Sequence, residues 1–288
     1  MKINLINKKI VEKFIPKRSD KGNKNVFGKV LVVAGSYLMS GAAYLASKSA
    51  MRSGCGLIYG VCTDKIKSIL SNLFPEGIYY SYGGGDYIND KTCQLIYNLH
   101  IQKKFDVLLI GPGLGTNPET LKTVVEILKK LKIPSVIDAD AITAISKYGT
   151  DFLKDIPSVI TPHPGEARRL SQKDGVYLAL DIAHKTGGVV VLKDYKTFIT
   201  DGEHIFLNNR ENSGLSKAGS GDVLCGIIAG FISQFKPYGI TKDSLLKSAV
   251  AGVWVHSESG YKASKKFSKY SVLASDIIDM IGPVIKSL

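Results

Sequence analysis

Short apolar runs rich in β-branched residues recur along this chain, and they restrict its fold more than any other feature. Residues 29–35 (KVLVVAG) and 57–62 (LIYGVC) are two of them. Residues 106–113 (DVLLIGPG), 135–138 (SVID) and 158–161 (SVIT) are three more. None alternates polar with apolar positions, so a strand built from them is buried on both faces. Helical patterns separate the runs: small apolar residues fill 41–52, and a helix is expected from about Pro118 to Lys130. Buried strands alternating with helices predict an α/β fold, a central mostly parallel sheet with helices on both faces.

The pattern changes after Gly188. Residues 189–193 and 197–200 flank one turn, and Asp201-Gly202 begins another before 204–207, which predicts a small antiparallel edge. The last third reads as helices over about 222–234, 242–258 and 272–285. No Pro-, Gly- or Ser-rich linker divides residues 1–288 and no repeat appears, so one domain is expected.

Composition excludes several classes. The four cysteines (Cys55, Cys62, Cys93, Cys225) form no CxxC pair and no ligand spacing with histidine, which argues against zinc and against a secreted disulfide framework. No run of eighteen apolar residues exists, and the first residues, MKINLINKKIVEKFIPKR, lack the apolar stretch of a signal peptide. A cytoplasmic enzyme that crosses no membrane is expected. The net charge of +13 comes from dispersed lysines rather than a basic-aromatic stripe, so nucleic acid is not the expected partner.

In open parallel sheets, ligands bind beyond the carboxyl ends of the strands. Gly35-Ser36, Gly111-Pro112-Gly113-Leu114-Gly115, Asp138-Ala139-Asp140 and Thr161-Pro162-His163-Pro164-Gly165-Glu166 all fall there. The strongest local signal is the stretch 212–224, NSGLSKAGSGDVL, a small-residue loop that runs directly into a helical pattern. Glycines let backbone amides approach an anion closely, and a helix N-terminus supplies unpaired N–H groups and partial positive charge. Asp222 falls in that first turn. There it serves either as a partner for the helix dipole or as a base for a hydroxyl attacking a bound phosphate.

Gly219-Ser220-Gly221-Asp222 resembles the anion-hole and catalytic-base motif of ribokinase-like proteins, and the wider set resembles the NAD(P)H-hydrate dehydratase family. The matching stretches are GKVLVVAGS at 28–36, SGAAYLA at 40–46, RSGCGL at 52–57 and GPGLG at 111–115. DADA at 138–141, TPHPGE at 161–166, VLK at 191–193, GSGDVLCGIIAG at 219–230 and LASDII at 273–278 continue the match in order. TPHPGE and GPGLG are its specific pieces.

The resemblance implies a reaction. A nucleotide, ADP or ATP with Mg2+, phosphorylates the C6 hydroxyl of (6S)-hydrated NADH or NADPH. Phosphate then leaves with help from the ring nitrogen, and the reduced cofactor is regenerated. Bacterial members of the family use ADP and release AMP. Asp222 becomes the base, while Gly219, Ser220 and Gly221 offer amides to the transferring phosphate. Lys193, Asp194, Tyr195, Lys196 and Thr197, with Asn212, match the nucleotide segment. Ala42, Ala43, Gly113 and His163 match substrate positions. Asp138, Asp140 and Glu166 are candidates to reach the metal through water, with no direct ligand expected. Taken singly, Lys193 also suits a solvated strand end, and Asp138 and Asp140 also suit helix caps. A homotetramer is implied, and the absence of the epimerase domain often fused ahead implies action on the S form only. A ribokinase-like kinase for a vitamin precursor is the alternative.

Four departures stand out. Asp194 follows Lys193 where a glycine is usual, Ala218 precedes Gly219 where glycine is common, and Cys225 replaces a usual threonine. Residues 23–28 (NKNVFG) lack the His and Gly of the family's N-terminal HKGxxG-like stretch. These bear on nucleotide preference and affinity.

Overall fold

The computed structural model describes residues 2–83 and 85–288. The chain enters through β1 (Ile3–Leu5) and α1 (Lys8–Phe14), then alternates strand and helix. The first set is β2 (Lys29–Val33), α2 (Ser40–Arg52), β3 (Leu57–Cys62), α3 (Asp64–Leu73), β4 (Ile78–Ser81) and α4 (Asp90–Lys103). The second is β5 (Val107–Ile110), α5 (Pro118–Leu131), β6 (Ser135–Ile137), α6 (Asp140–Tyr148), β7 (Ser158–Ile160), α7 (Pro164–Ala167), α8 (Gly175–Thr186) and β8 (Val189–Leu192). A meander of β9 (Thr197–Thr200) and β10 (Ile205–Asn208) follows, then α9 (Ser220–Ser233), α10 (Lys242–Phe267) and α11 (Ala274–Lys286).

The ten strands form one sheet in the order β1-β10-β9-β8-β7-β6-β5-β2-β3-β4. Every pairing is parallel except those of β9 with β8 and β10, so β9 alone runs against the rest. The expected antiparallel strand is present, but β1 pairs in parallel beyond β10 and takes the outer edge.

The continuous apolar runs are accounted for by burial on both faces. In β2, Val30 and Val32 pack in a core shared with α2, α9, α10 and α11. Leu31 and Val33, pointing the other way, join a second core under α4, α5 and α6. Helix α9 lies almost wholly buried between the sheet and its neighbours. Gly226 and Gly230, one turn apart, let it approach α2: a Cβ on Gly230 would stand 2.5 Å from the Ala50 carbonyl oxygen.

Three boundaries differ from expectation. The run at 106–113 is strand only to Ile110, where Gly111 takes φ +126° and starts a turn. Helix α9 begins at Ser220 rather than 222, with Gly219 as a left-handed N-cap at φ +86°. Helix α10 continues past Glu258 to Phe267, with Gly260 inside it. Among the described residues, no helix is long and apolar enough to cross a membrane.

Candidate active site

Strand order reverses between β5 and β2, the kind of switch point at which parallel sheets open a crevice at their carboxyl ends. Backbone bonds tie the loops there into one rim. The Gly35 N–H donates to the Pro112 carbonyl (2.7 Å) and the Gly111 N–H to Val33 (3.1 Å). Asp138 donates to Ile110 (3.2 Å), Thr161 to Ile137 (3.1 Å) and Lys193 to Pro162 (2.8 Å).

Ala42 and Ala43 pack against the glycine turns of this rim. A Cβ on Gly113, which has φ +63°, would lie 2.8 Å from the Ala42 Cβ, and one on Gly35 would lie 3.0 Å from the Ala43 Cβ. The start of α2 therefore rests directly on the glycine turns, and neither glycine tolerates a side chain.

The centre of the rim is charged. Asp138 is 2% exposed, and its Oδ1 accepts from Lys193 Nζ (2.6 Å) and the Thr161 hydroxyl (2.7 Å). Burial pulls the Lys193 ammonium toward the neutral form, but the Asp138 carboxylate more than offsets this and leaves its pKa raised. Ala139 holds φ +50°, a conformation unusual for a residue with a side chain, and it separates the two aspartates. Asp140 consequently turns to the neighbouring loop, where its Oδ2 accepts from the Gly115 N–H (2.7 Å). Burial, followed at a distance by Asp138, raises the Asp140 carboxyl above the usual range.

Asp222 is the third residue of α9 and half-buried beside this pair. A Cβ on Gly221 would stand 3.5 Å from Lys193 Nζ and 3.8 Å from Asp138 Oδ2, so the helix start abuts the ion pair. Burial, then the Asp138 charge, pushes the Asp222 pKa up to about 6, with Lys193 opposing and Asp140 adding a little. No hydrogen bond from a described residue reaches its carboxylate. A half-buried carboxylate with free oxygens and a pKa near neutrality suits proton abstraction better than plain dipole compensation.

The amides beside it differ in one respect from expectation. The Ser220 N–H closes a turn onto the Lys217 carbonyl (3.2 Å), so it is not free for an anion. Among the described residues, the N–H groups of Gly219, Gly221 and Asp222 meet no acceptor. Ser220 instead turns its hydroxyl to His256 Nε2 (3.1 Å), a residue the sequence patterns did not single out.

The remaining candidates are partly engaged in structure. His163 Nδ1 caps α7, accepting from the N–H groups of Gly165 (3.0 Å) and Glu166 (3.3 Å). Glu166 Oε2 in turn accepts from the His163 N–H (2.8 Å), which makes a capping box. The His163 ring is 55% exposed, and its Nε2 lies 3.5 Å from Glu166 Oε1. The Asn212 carboxamide caps a short turn through Gly214 N–H (3.0 Å) and pairs with Ser264 Oγ (3.2 Å). Asp194 and Tyr195 are exposed on the hairpin, Lys196 sits 3.9 Å from Glu211, and the Thr197 hydroxyl faces the Asp194 carbonyl (3.5 Å). A cavity of about 250 Å3 lined by Lys154, Ser158 and Lys242 lies at the amino ends of β7 and β8, away from this chemistry. The four cysteines are free and buried.

A loop rim at the switch point of a mostly parallel sheet, with open helix amides beside a carboxylate of raised pKa, defines a ribokinase-like protein. The Enterococcus faecalis ribokinase-like superfamily protein superposes with a TM-score of 0.83 and 29% identity, covering 99% of this chain and 96% of that one. A model of the NAD(P)H-hydrate dehydratase family matches residues 30–283, and the chain belongs to that family. It is 30% identical over 278 residues to the ADP-dependent (S)-NAD(P)H-hydrate dehydratase of Listeria monocytogenes, covering 95% of this chain and 93% of that protein. It is 33% identical to the bifunctional NAD(P)H-hydrate repair enzyme of Moorella thermoacetica, covering 95% of this chain but only 52% of the relative. The chain thus spans about half the length of several bifunctional relatives. The Bacillus subtilis ADP/ATP-dependent NAD(P)H-hydrate dehydratase, co-crystallised with ATP and Mg2+, superposes with a TM-score of 0.82 and 25% identity, covering 100% of this chain and 99% of that one.

Proposed function

We propose that this chain is a nucleotide-dependent (6S)-NAD(P)H-hydrate dehydratase with ADP as phosphoryl donor. The observation that carries the reading is Asp222, a carboxylate with a pKa of about 6 and no hydrogen bond from a described residue, beside open amides at the start of α9. With the hydrate in the crevice between Gly113, Ala42 and the α9 start, Asp222 takes the proton of the C6 hydroxyl as its oxygen attacks the terminal phosphorus. The bond to the AMP leaving group breaks, while the N–H groups of Gly219, Gly221 and Asp222 stabilise charge on the transferring phosphoryl. The C6–O bond then breaks, pushed by the ring nitrogen lone pair, and loss of the C5 proton restores the double bond. A hydroxide is a poor leaving group and a phosphate a good one, which is the reason to spend a nucleotide on a dehydration.

Magnesium fits as a passenger on the nucleotide. No three His, Cys, Asp or Glu side chains gather into a ligand set among the described residues. Asp138 Oδ1 and Asp140 Oδ2 are already bonded, to Lys193 and Gly115. Asp138 and Asp140 would hold the ion through water, and the ion would supply neutralisation of phosphate charge. His163, through its exposed ring, is assigned to the substrate, and the 193–197 hairpin to the nucleotide.

The test is incubation of purified hydrated NADH with the protein, Mg2+ and either ADP or ATP, following absorbance at the reduced-nicotinamide band. Recovery with ADP and release of AMP is expected. No recovery with either nucleotide, or recovery without any, refutes the proposal. A stable phosphorylated product in place of free phosphate would mark a kinase.

A further inference from the structure

Helix α10 carries a row of residues at i, i+4, i+8 and i+12 that meets α9 and the glycine loop ahead of it. Gly252 lies against Ile228 of α9, where a Cβ would stand 2.6 Å from Ile228 Cγ1. One turn on, His256 Nε2 meets the Ser220 hydroxyl at 3.1 Å. A turn further, Gly260 packs against the Leu215 side chain in the loop. Ser264 then bonds Asn212 at the loop's other end, 3.2 Å from both its Oδ1 and its Nδ2. His256 and Ser264, eight residues apart, are separated by about 12 Å of helix rise.

We infer that α10 is the template for the anion-binding turn, with His256 a positioning residue that fixes Ser220 and through it the free amides of Gly221 and Asp222. The inference rests on the dehydratase reading only for where the phosphate binds. His256 is buried, and its pKa is lowered to about 4 by that burial, so the ring is neutral throughout the working range and acts as a fixed hydrogen-bond partner. The Ser220 N–H closes the turn onto Lys217, and the side chain of the same residue is left to tie that turn to α10. The hydroxyl–imidazole bond ties the helix start directly to α10. A loop rich in glycine loses much conformational entropy when ordered, and anchors at both ends supply that order before the ligand arrives. Displacement of an oxyanion donor by a fraction of an ångström is enough to cost about tenfold or more in rate.

The experiment compares His256→Ala, His256→Gln, Ser220→Ala and the His256→Ala/Ser220→Ala double variant. ADP affinity is read by calorimetry, and kcat and KM with hydrated NADH by absorbance. Removing a buried ring also leaves a cavity, so Gln, whose amide reaches about as far as Nε2, separates positioning from packing, and melting curves confirm folded protein. Expected are roughly tenfold losses in ADP affinity and in kcat for the two Ala variants. The double variant should be no worse than the poorer single one, and Gln should restore most of the loss. Unchanged ADP affinity in folded His256→Ala, losses that multiply in the double variant, or a Gln variant no better than Ala overturns the inference. If the wild type binds ADP but leaves hydrated NADH untouched, the dehydratase reading falls and the binding data still decide the role of His256.

Discussion

Replacing Asp222 by Asn keeps the side chain's shape and removes its charge, so it separates what the carboxylate does for the reaction from what it does to the fold. The ionised group is disfavoured by burial and by Asp138, and its pKa is about 6 where the ordinary value is 3.8. That gap corresponds to about 3 kcal/mol of unfavourable free energy for the charged form in the folded protein. The sign follows from proton counts. Between about pH 4 and pH 6 the folded chain holds a proton on Asp222 that the unfolded chain has lost, so stability falls as pH rises through this window. Above the window the full cost is present, and below it the cost vanishes.

Asp222→Asn should therefore be more stable than wild type at pH 7.5, by up to about 3 kcal/mol, or up to about 5 °C in melting temperature for a chain of this size. The gain should fade as pH falls toward 4. Turnover should drop by about 10²–10⁴-fold while ADP binding persists. Thermal denaturation by circular dichroism from pH 4 to 8, paired with the absorbance assay, measures both. A variant less stable than wild type at pH 7.5 would show that the carboxylate is held by favourable partners. Unchanged turnover would remove Asp222 from the chemistry.

Other outcomes follow from the same geometry. Wild-type kcat/KM should fall about tenfold per pH unit below about 6, as Asp222 takes up its proton. Lys193→Met leaves the Asp138 carboxylate buried without its ion pair, which should cost about 3–5 kcal/mol in denaturant titration. The same variant should move the acid limb of the pH profile upward, because the Lys193 charge holds the Asp222 pKa down. Gly111→Ala places a Cβ against the Asp138 carbonyl at φ +126°, and a loss of about 3 kcal/mol or more is expected in the same titration. ADP with Mg2+ at a hundred times its Kd should stabilise the fold by about 2.7 kcal/mol, and a chelator should take away most of that gain.

The parts of the fold legible in the sequence are those where burial leaves an unbroken apolar signature. Strands β2, β3 and β5 to β8 have helices on both faces and read directly. Strands β1 and β4 do not: Ile3 and Leu5 are 44% and 53% exposed, and β4 is a half-exposed edge of four residues. Helix α10 runs on through Gly260, where the Leu215 side chain takes the space a Cβ would need, a tertiary contact that no local pattern announces. In the site, a glycine loop running into a helix was visible because loop and helix are contiguous. Pairings such as Lys193 with Asp138 and Ser220 with His256 join residues 55 and 36 positions apart, and no local pattern encodes them. His163 shows a different limit: its two prolines announce a fixed backbone, but not that the ring itself would serve as the cap.

The lone reversed strand explains how distant segments reach one rim. Strand β8 ends at the rim with Lys193, so a parallel successor would need a crossover through a helix before the chain could return there. Because β9 runs back antiparallel, a short turn suffices, and that turn is the 193–196 segment itself. Strand β10 then climbs in the common direction and delivers Asn208 to the rim again. The chain is thereby placed to cross the crevice mouth as the 209–219 loop and enter α9 at its amino end, with the free amides and Asp222 facing the charge pair. Strand β8 supplies the lysine that tempers Asp222, and the reversal after it brings back to the same rim the loop that carries Asp222. Inserting or deleting a strand there would send α9 off the opposite end of the sheet, and the carboxylate would lose Asp138 and Lys193 together.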